Sequence, residues 1–163
     1  MWLSRLLVAA CLVTLAACAD MKVQSLGTSL AEQDIRISVV EAGGREGQIY
    51  SRALRDRLAS SGVGLETHSL STTISSSSTS TLSVSGQSSQ LKKMTMSANI
   101  TLVDLDSGEA VFSGTVSANA TLGTVSSIFA NDRSDRHGRE RLARLLAERV
   151  AARIHLHFLD NDA

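Results

Sequence analysis

The chain has 163 residues, with 16 Lys and Arg balanced by 16 Asp and Glu, for a formal net charge of +0. This length suits one ordinary domain, and the balance excludes the strong basic excess expected of a nucleic-acid-binding protein. Aromatic residues make up only 3% of the sequence, so we expect a core built from aliphatic side chains.

Residues 1–17 have the features of a secretory signal. Met1–Arg5 is short and basic, and Leu6–Thr14 ("LLVAACLVT") is apolar but shorter than the roughly 20 residues needed to span a bilayer. The following "LAAC" (Leu15–Cys18) is similar to the lipobox of bacterial lipoproteins. That similarity implies cleavage before Cys18 and acylation of its thiol. The alternative is an ordinary signal peptide cut at a small residue, with Cys18 incidental.

Cysteine use agrees with a lipid anchor. The chain has 2 Cys, of which Cys11 lies in the segment to be removed, so acylation of Cys18 leaves the folded part without thiols or disulfides. More than one acyl chain makes such anchoring stable. Ala19 resembles the pattern of lipoproteins sorted to the outer membrane, although Asp20 follows it. Residues 18–33 show no clear period and are predicted to be a lipidated tether.

The predicted domain covers residues 34–163. Its first segment, Asp34–Val40 ("DIRISVV"), alternates apolar and polar side chains, which predicts a strand. The next, Gln48–Ser60, repeats apolar side chains every four residues at Tyr50, Leu54 and Leu58, which predicts a helix.

The stretch Leu70–Ser89 ("LSTTISSSSTSTLSVSGQSS") has no charge and consists mainly of serine and threonine. The segments on either side are too small to be separate domains, and threonine favours strands, so a flexible linker is disfavoured. We predict extended chain over 65–74 and 81–85, with a turn near 75–80 or at Gly86. A disordered loop over 75–89 is the alternative.

Two further strands and a helix complete the domain. Met94–Leu102 and Ala110–Ala118 alternate with period two around a turn at Asp104–Glu109 ("DLDSGE"). From Ser134 to Phe158, leucine, valine and isoleucine recur every four residues, which predicts the last helix. The predicted class is α+β, in the order β-α-β-β-β-α. It has a four-stranded mixed sheet, two helices packed on one face and a hydroxyl-rich face on the other.

Sequence signatures of catalysis are absent. The chain has neither a G-x-S-x-G elbow nor an S-x-x-K followed by K-T-G, and it has no phosphate-binding glycine loop. His155 and His157 lie two apart on a predicted helix and point in different directions, which is poor metal geometry. The turn "DLDSG" lacks the later Glu of a calcium loop. We therefore predict a protein that is not an enzyme, with no cofactor and no metal.

Three segments carry a resemblance to a known family. They are "IYSRALRDRL" (49–58), "LKKMTMSANITLVDLDSGEAVFSG" (91–114) and "SSIFANDRSDRHGRERLARLLAERVAARI" (126–154). Over most of residues 35–158 the chain resembles the lipopolysaccharide-assembly lipoprotein family, LptE. The matching positions are Ala98, Leu102, Asp104, Gly108, Gly114, Ser127, Phe129 and Ala130. Family members often have Gly-Phe and then Pro-Leu-Tyr after the lipid Cys, whereas "ADMKVQSLG" follows Cys18 here, which leaves the path of the tether open.

The resemblance implies a role and its partners. Such lipoproteins plug the LptD β-barrel, help to assemble it, and assist delivery of lipopolysaccharide to the outer leaflet. They are anchored by lipid in the outer membrane and face the periplasm and the barrel lumen. A polar, hydrated lumen would suit strands rich in serine and threonine, because charges there would each need a partner. The alternative is another periplasm-facing binding lipoprotein, such as an auxiliary subunit of a lipid transporter or an activator of a cell-wall synthase.

Lys92 and Lys93 are the candidate ligands for lipopolysaccharide. They are adjacent basic residues at the start of the Met94 strand, and family members tend to carry a basic residue in this neighbourhood. Phosphates and carboxylates would be attracted to such a pair. The alternative is that both are ordinary solvated lysines at the end of a strand.

Overall fold

The elements of the domain follow one another in the predicted order. The computed structural model describes residues 35–59, 64–83, 90–123 and 127–161. The elements in these ranges are β1 (Ile37–Val39), α1 (Gly44–Leu58), β2 (His68–Ser83), β3 (Gln90–Asp104), β4 (Ala110–Gly123) and α2 (Ile128–Asn161). The predicted β-α-β-β-β-α order and α+β class are confirmed.

The four strands form one mixed sheet in the order β1-β2-β3-β4. β1 runs parallel to β2 and pairs only with His68–Leu70. The other neighbours are antiparallel: β2 pairs with β3 from His68 opposite Asp104 to Ser83 opposite Gln90, with a register shift between Ser80 and Leu82. The sheet is therefore longest in its two hairpin pairs and has a short third pairing at one end.

The turn between β3 and β4 lies where "DLDSGE" predicted it. The Asp104 carboxylate accepts hydrogen bonds from the backbone N–H of Asp106 (2.8 Å) and of Ser107 (3.0 Å). These bonds to the charged form lower the pKa of Asp104. Gly108 has a φ of 73°, a left-handed conformation that glycine adopts without steric cost.

The turn predicted near Ser75–Ser80 is wrong, and so is a disordered loop over the described part of that stretch. β2 runs without interruption from His68 to Ser83. Each residue from Ser75 to Ser80 has a register partner on β3, so tertiary pairing fixes a segment whose own sequence has neither a period nor a strong turn signal. The other turn position, Gly86, lies outside the described residues.

Helix α2 begins at Ile128, six residues before its predicted start at Ser134. The Ser127 hydroxyl accepts a hydrogen bond from the N–H of Ala130 (3.4 Å), which satisfies one of the free donors at the helix start. Ile128 and Phe129 are exposed. The first turn therefore has no buried stripe from which a helical period could have been recognised.

Both helices pack on the same face of the sheet. α2 lies over β3 and β4, whereas α1 contacts α2 and β1. The core side chains with 0% exposure include Tyr50, Leu54, Leu70, Met96, Leu102, Leu146, Val150 and Ile154. Fully burying one side chain of this size contributes roughly 1.5–3 kcal/mol, so this one face accounts for the hydrophobic stabilisation of the fold.

Close approach of helix and sheet depends on Gly138. A Cβ at that position would lie 2.7 Å from Leu122 Cδ1 and 3.2 Å from Met94 Sδ. Residue 138 is buried, and the missing side chain lets α2 cross β3 and β4 at short range.

Candidate functional site: an uncharged hydroxyl face of the sheet

The face of the sheet opposite the helices is formed by odd-numbered residues, because successive side chains of a strand point to opposite faces. Its five central rows, read across β2, β3 and β4, are Ser71–Thr101–Ser113, Thr73–Asn99–Thr115, Ser75–Ser97–Ser117, Ser77–Thr95–Asn119 and Thr79–Lys93–Thr121. We call these residues the hydroxyl face. Every side chain in it ends in a hydroxyl or an amide, except that of Lys93.

The hydroxyl face is open to solvent and presents neutral groups that can donate and accept. Its β2 and β4 members are exposed, and those of β3 are exposed or half-buried. The Thr115 hydroxyl donates to Asn99 Oδ1 across the strands at 2.7 Å. Serine and threonine hydroxyls rotate to suit a neighbour and serve as donor or acceptor. The face can therefore fit a polar surface without requiring matched charges.

The second half of β2 is exposed on both of its faces. All residues from Ser75 to Ser80 are exposed. α1 has 15 residues, about 22 Å of helix, whereas the 16 residues of β2 extend over about 53 Å. α1 reaches β2 at Thr72, whose hydroxyl lies 3.2 Å from that of Tyr50. Beyond this point the even-numbered serines also remain uncovered.

The helix layer has the opposite chemistry. Ion pairs join α1 to α2 at Arg45–Glu140 (3.0 Å), Arg139–Glu46 (3.1 Å) and Arg57–Glu148. Charge is thus concentrated on the helices and is partly paired between them, while the hydroxyl face carries almost none.

The two candidate lysines point to opposite faces. Lys92 lies on the helix side, where its Nζ is 2.5 Å from Asp135 Oδ2. Lys93 is exposed on the hydroxyl face, in register with Thr79 and Thr121. The structure therefore does not bring Lys92 and Lys93 together, as the strand alternation in the sequence could already have indicated. Their binding of lipopolysaccharide stays a prediction, and Cys18 lies outside the described residues.

Ring contacts gather at the end of the sheet where α2 finishes. His68 and Phe158 pack edge to face with centroids 5.4 Å apart, and His157 lies 4.8 Å from Phe112. His155 is buried, and this burial lowers its pKa, opposed by a hydrogen bond to the backbone of Arg57. That bond ties the end of α1 to α2, so His155 has a structural role.

In the described ranges, no group of three or more His, Cys, Asp or Glu side chains is arranged to hold a metal ion. None of the described helices combines the length and the apolar content needed to cross a membrane.

Comparisons with known proteins point to one family. The model described as "LptE: Lipopolysaccharide-assembly" matches residues 32–155. A proposed lipoprotein from Caulobacter crescentus CB15 is similar in structure, with 18% identity, a TM-score of 0.61 and coverage of 82% of this chain and 96% of that chain. The rare lipoprotein B from Shewanella oneidensis has 11% identity and a TM-score of 0.58, covering 79% of this chain and 98% of that chain. At these identities the two structures show the fold alone. No curated protein has a sequence that matches this one.

Proposed function

Because the chain belongs to the lipopolysaccharide-assembly (LptE) family, whose model matches residues 32–155, we propose that it plugs an LptD-like β-barrel of the outer membrane. In this role it helps the barrel to assemble and assists delivery of lipopolysaccharide to the outer leaflet. The family consists of assembly lipoproteins and not of enzymes, so the proposed activity is one of binding.

The observation that carries the proposal is the hydroxyl face. The lumen of large outer-membrane barrels is polar and filled with water. A plug with charges on that side would have to match or desolvate each of them, at an effective cost of several kcal/mol per unpaired ion. The hydroxyl face has fourteen neutral polar side chains and Lys93 in its five rows, so Lys93 is the one side chain of these rows that would bring this cost to the lumen.

The proposed location follows from the N-terminus. Acylation of Cys18 would hold the chain at the outer membrane, with its domain facing the periplasm and the barrel lumen. Labelled palmitate should enter the wild-type protein, and the Cys18→Ser variant should remain unlabelled. Label retained by that variant would contradict the lipobox interpretation without affecting the family assignment.

The decisive experiment is recovery of partners from detergent-solubilised membranes with the tagged full-length protein. A large outer-membrane β-barrel recovered in stoichiometric amount is the expected result. An inner-membrane ATPase complex or a peptidoglycan synthase as main partner would replace the proposal by the alternative of another periplasm-facing lipoprotein.

A further inference from the structure

Beyond Leu70, the outer edge of β2 has no pairing partner among the described residues. β1 pairs with β2 only as far as Leu70, whose carbonyl accepts a hydrogen bond from the N–H of Val40 (2.9 Å). The chain then turns into α1, which starts at Gly44 with a φ of 79°. From Ser71 onwards, one edge of β2 is bonded to β3 and the other pairs with none of the described residues.

The backbone groups at this open edge can be identified from the hydrogen bonds at the start of β2. The N–H of His68 donates to the Arg36 carbonyl (3.0 Å), and the Leu70 carbonyl accepts from Val40, so the even-numbered residues face the outer edge. In a strand, alternate residues direct both N–H and C=O to the same side. Thr72, Ile74, Ser76 and Ser78 therefore offer a row of alternating donors and acceptors.

The two outer edges of the sheet differ in their protection. Proteins usually blunt a free edge with charged side chains, proline or a covering element. On β4, Arg149 of α2 donates from Nη1 to the Ser117 carbonyl at 2.6 Å, which occupies an edge acceptor. On β2, the residues from Ser71 to Ser80 include neither a charge nor a proline. An uncharged edge of this length is expected to pair with another strand.

We infer that the β2 edge from Thr72 to Ser78 is a β-augmentation site that takes up an extended segment of the barrel partner. The inference rests on the proposed function and adds the mode of contact. Affinity comes from main-chain hydrogen bonds, so it does not depend on the side chains of β2 being apolar. The wall of a closed barrel has no free strand edge, so the segment is a loop or terminal segment that enters the lumen.

A segment of the barrel partner is the proposed occupant because the hydroxyl face adjoins this edge of β2. Ser75 and Ser77 belong to the hydroxyl face and sit between the edge residues, so a partner that contacts this face also reaches the edge. β1 runs parallel to β2 and is entered from the His68 end. Residues 35 and 36 therefore approach the sheet from the end opposite to Ser78.

Proline and alanine substitutions at the edge provide a matched test. Ser76→Pro and Ser78→Pro each remove an outward N–H that β3 does not use, and proline is tolerated on edge strands. Ser76→Ala and Ser78→Ala keep the N–H and lose only the hydroxyl. We expect the proline variants to bind the purified barrel at least about tenfold more weakly, and the alanine variants to bind within about twofold of wild type.

The outcomes separate the two proposals. A wild-type protein that recovers no barrel overturns the proposed function. Wild-type binding that the proline variants fully retain overturns the edge inference and leaves the proposed function standing. If a proline variant does not fold, residue-resolved hydrogen exchange of the wild type decides: the amides of Thr72, Ile74, Ser76 and Ser78 should slow in the complex, and unchanged rates overturn the inference. Self-association of the isolated protein, abolished by the prolines, would assign the edge to a second copy instead.

Discussion

The two faces of the sheet come from the same three strands and differ only in whether residues are even- or odd-numbered. On β3 the even-numbered side chains from Met94 to Leu102 are at most 4% exposed and lie under the helices. The odd-numbered neighbours carry hydroxyl, amide or ammonium groups, apart from Val103, and belong to the opposite face. Folding stability and the proposed partner contact therefore depend on alternate residues of one strand. Substitutions on the two faces should have separable effects.

The largest expected effect is on stability, from the covered face. Leu146 is 0% exposed, and Leu146→Ala should lower the free energy of unfolding by about 2–5 kcal/mol, since it removes buried methyl groups and leaves a cavity. Urea unfolding measures this. The matched variant Ser97→Ala, on the hydroxyl face, should stay within about 0.5 kcal/mol of wild type. Equal losses in the two variants would show that the faces are not separable.

The next effect is on binding, from the hydroxyl face. Ser97→Asp combined with Ser117→Asp places two carboxylates opposite each other at the centre of that face. Barrel binding should weaken by about tenfold or more, because both charges would be desolvated without partners.

The control for this pair is Gln48→Glu, an added charge at an exposed position on α1. It should leave barrel binding unchanged. If the double variant binds as well as wild type in the same pull-down, the hydroxyl face does not meet the partner.

A smaller effect is expected where the covered face meets β2. Tyr50 is 0% exposed, and its burial raises the pKa to about 12, opposed by the hydrogen bond to Thr72. Tyr50→Phe keeps the ring and removes this bond, so stability should fall by about 0.5–1.5 kcal/mol. Thr72→Val, which removes the other partner, should not add to the loss in the double variant. Full additivity in thermal unfolding would mean that the two hydroxyls do not interact.

The smallest effect is pH-dependent and again confined to the covered side. Burial lowers the pKa of His155 in the folded state, so the unfolded state binds more protons as the pH falls through the unfolded value of about 6.5. The free energy of unfolding should therefore decrease as the pH is lowered from about 7.5 to about 5.5. His155→Gln should flatten this part of the pH profile, with the remaining histidines common to both proteins. An unchanged slope would assign the pH dependence to other groups.

The element order was predictable because β3, β4 and the two helices carry clear periods of two or four in their own sequence. The course of β2 through Ser75–Ser80 was not, since a run of serines has neither a period nor a turn residue and takes its conformation from β3. The sequence did predict that the face of the sheet opposite the helices is rich in hydroxyl groups. That Lys92 and Lys93 point to opposite faces of the sheet could also have been predicted, because adjacent side chains of a strand alternate between its faces. The β2 edge that no described strand covers could not be predicted, because it depends on the point at which β1 leaves the sheet.

The serine run in β2 also bears on how the strand finds its place during folding. A slip of two residues against β3 would keep every side chain on its own face. In the direction that brings residues 77–80 opposite the β3 partners of Ser75–Ser78, it would only replace serine by serine or threonine. The run therefore cannot select its own alignment. The alignment is therefore set by Leu70 opposite Leu102 and Ile74 opposite Ala98, where apolar side chains pack on the helix side of the sheet. These two pairs fix the register of β2 against β3, and the register of the serine run beyond them follows from it.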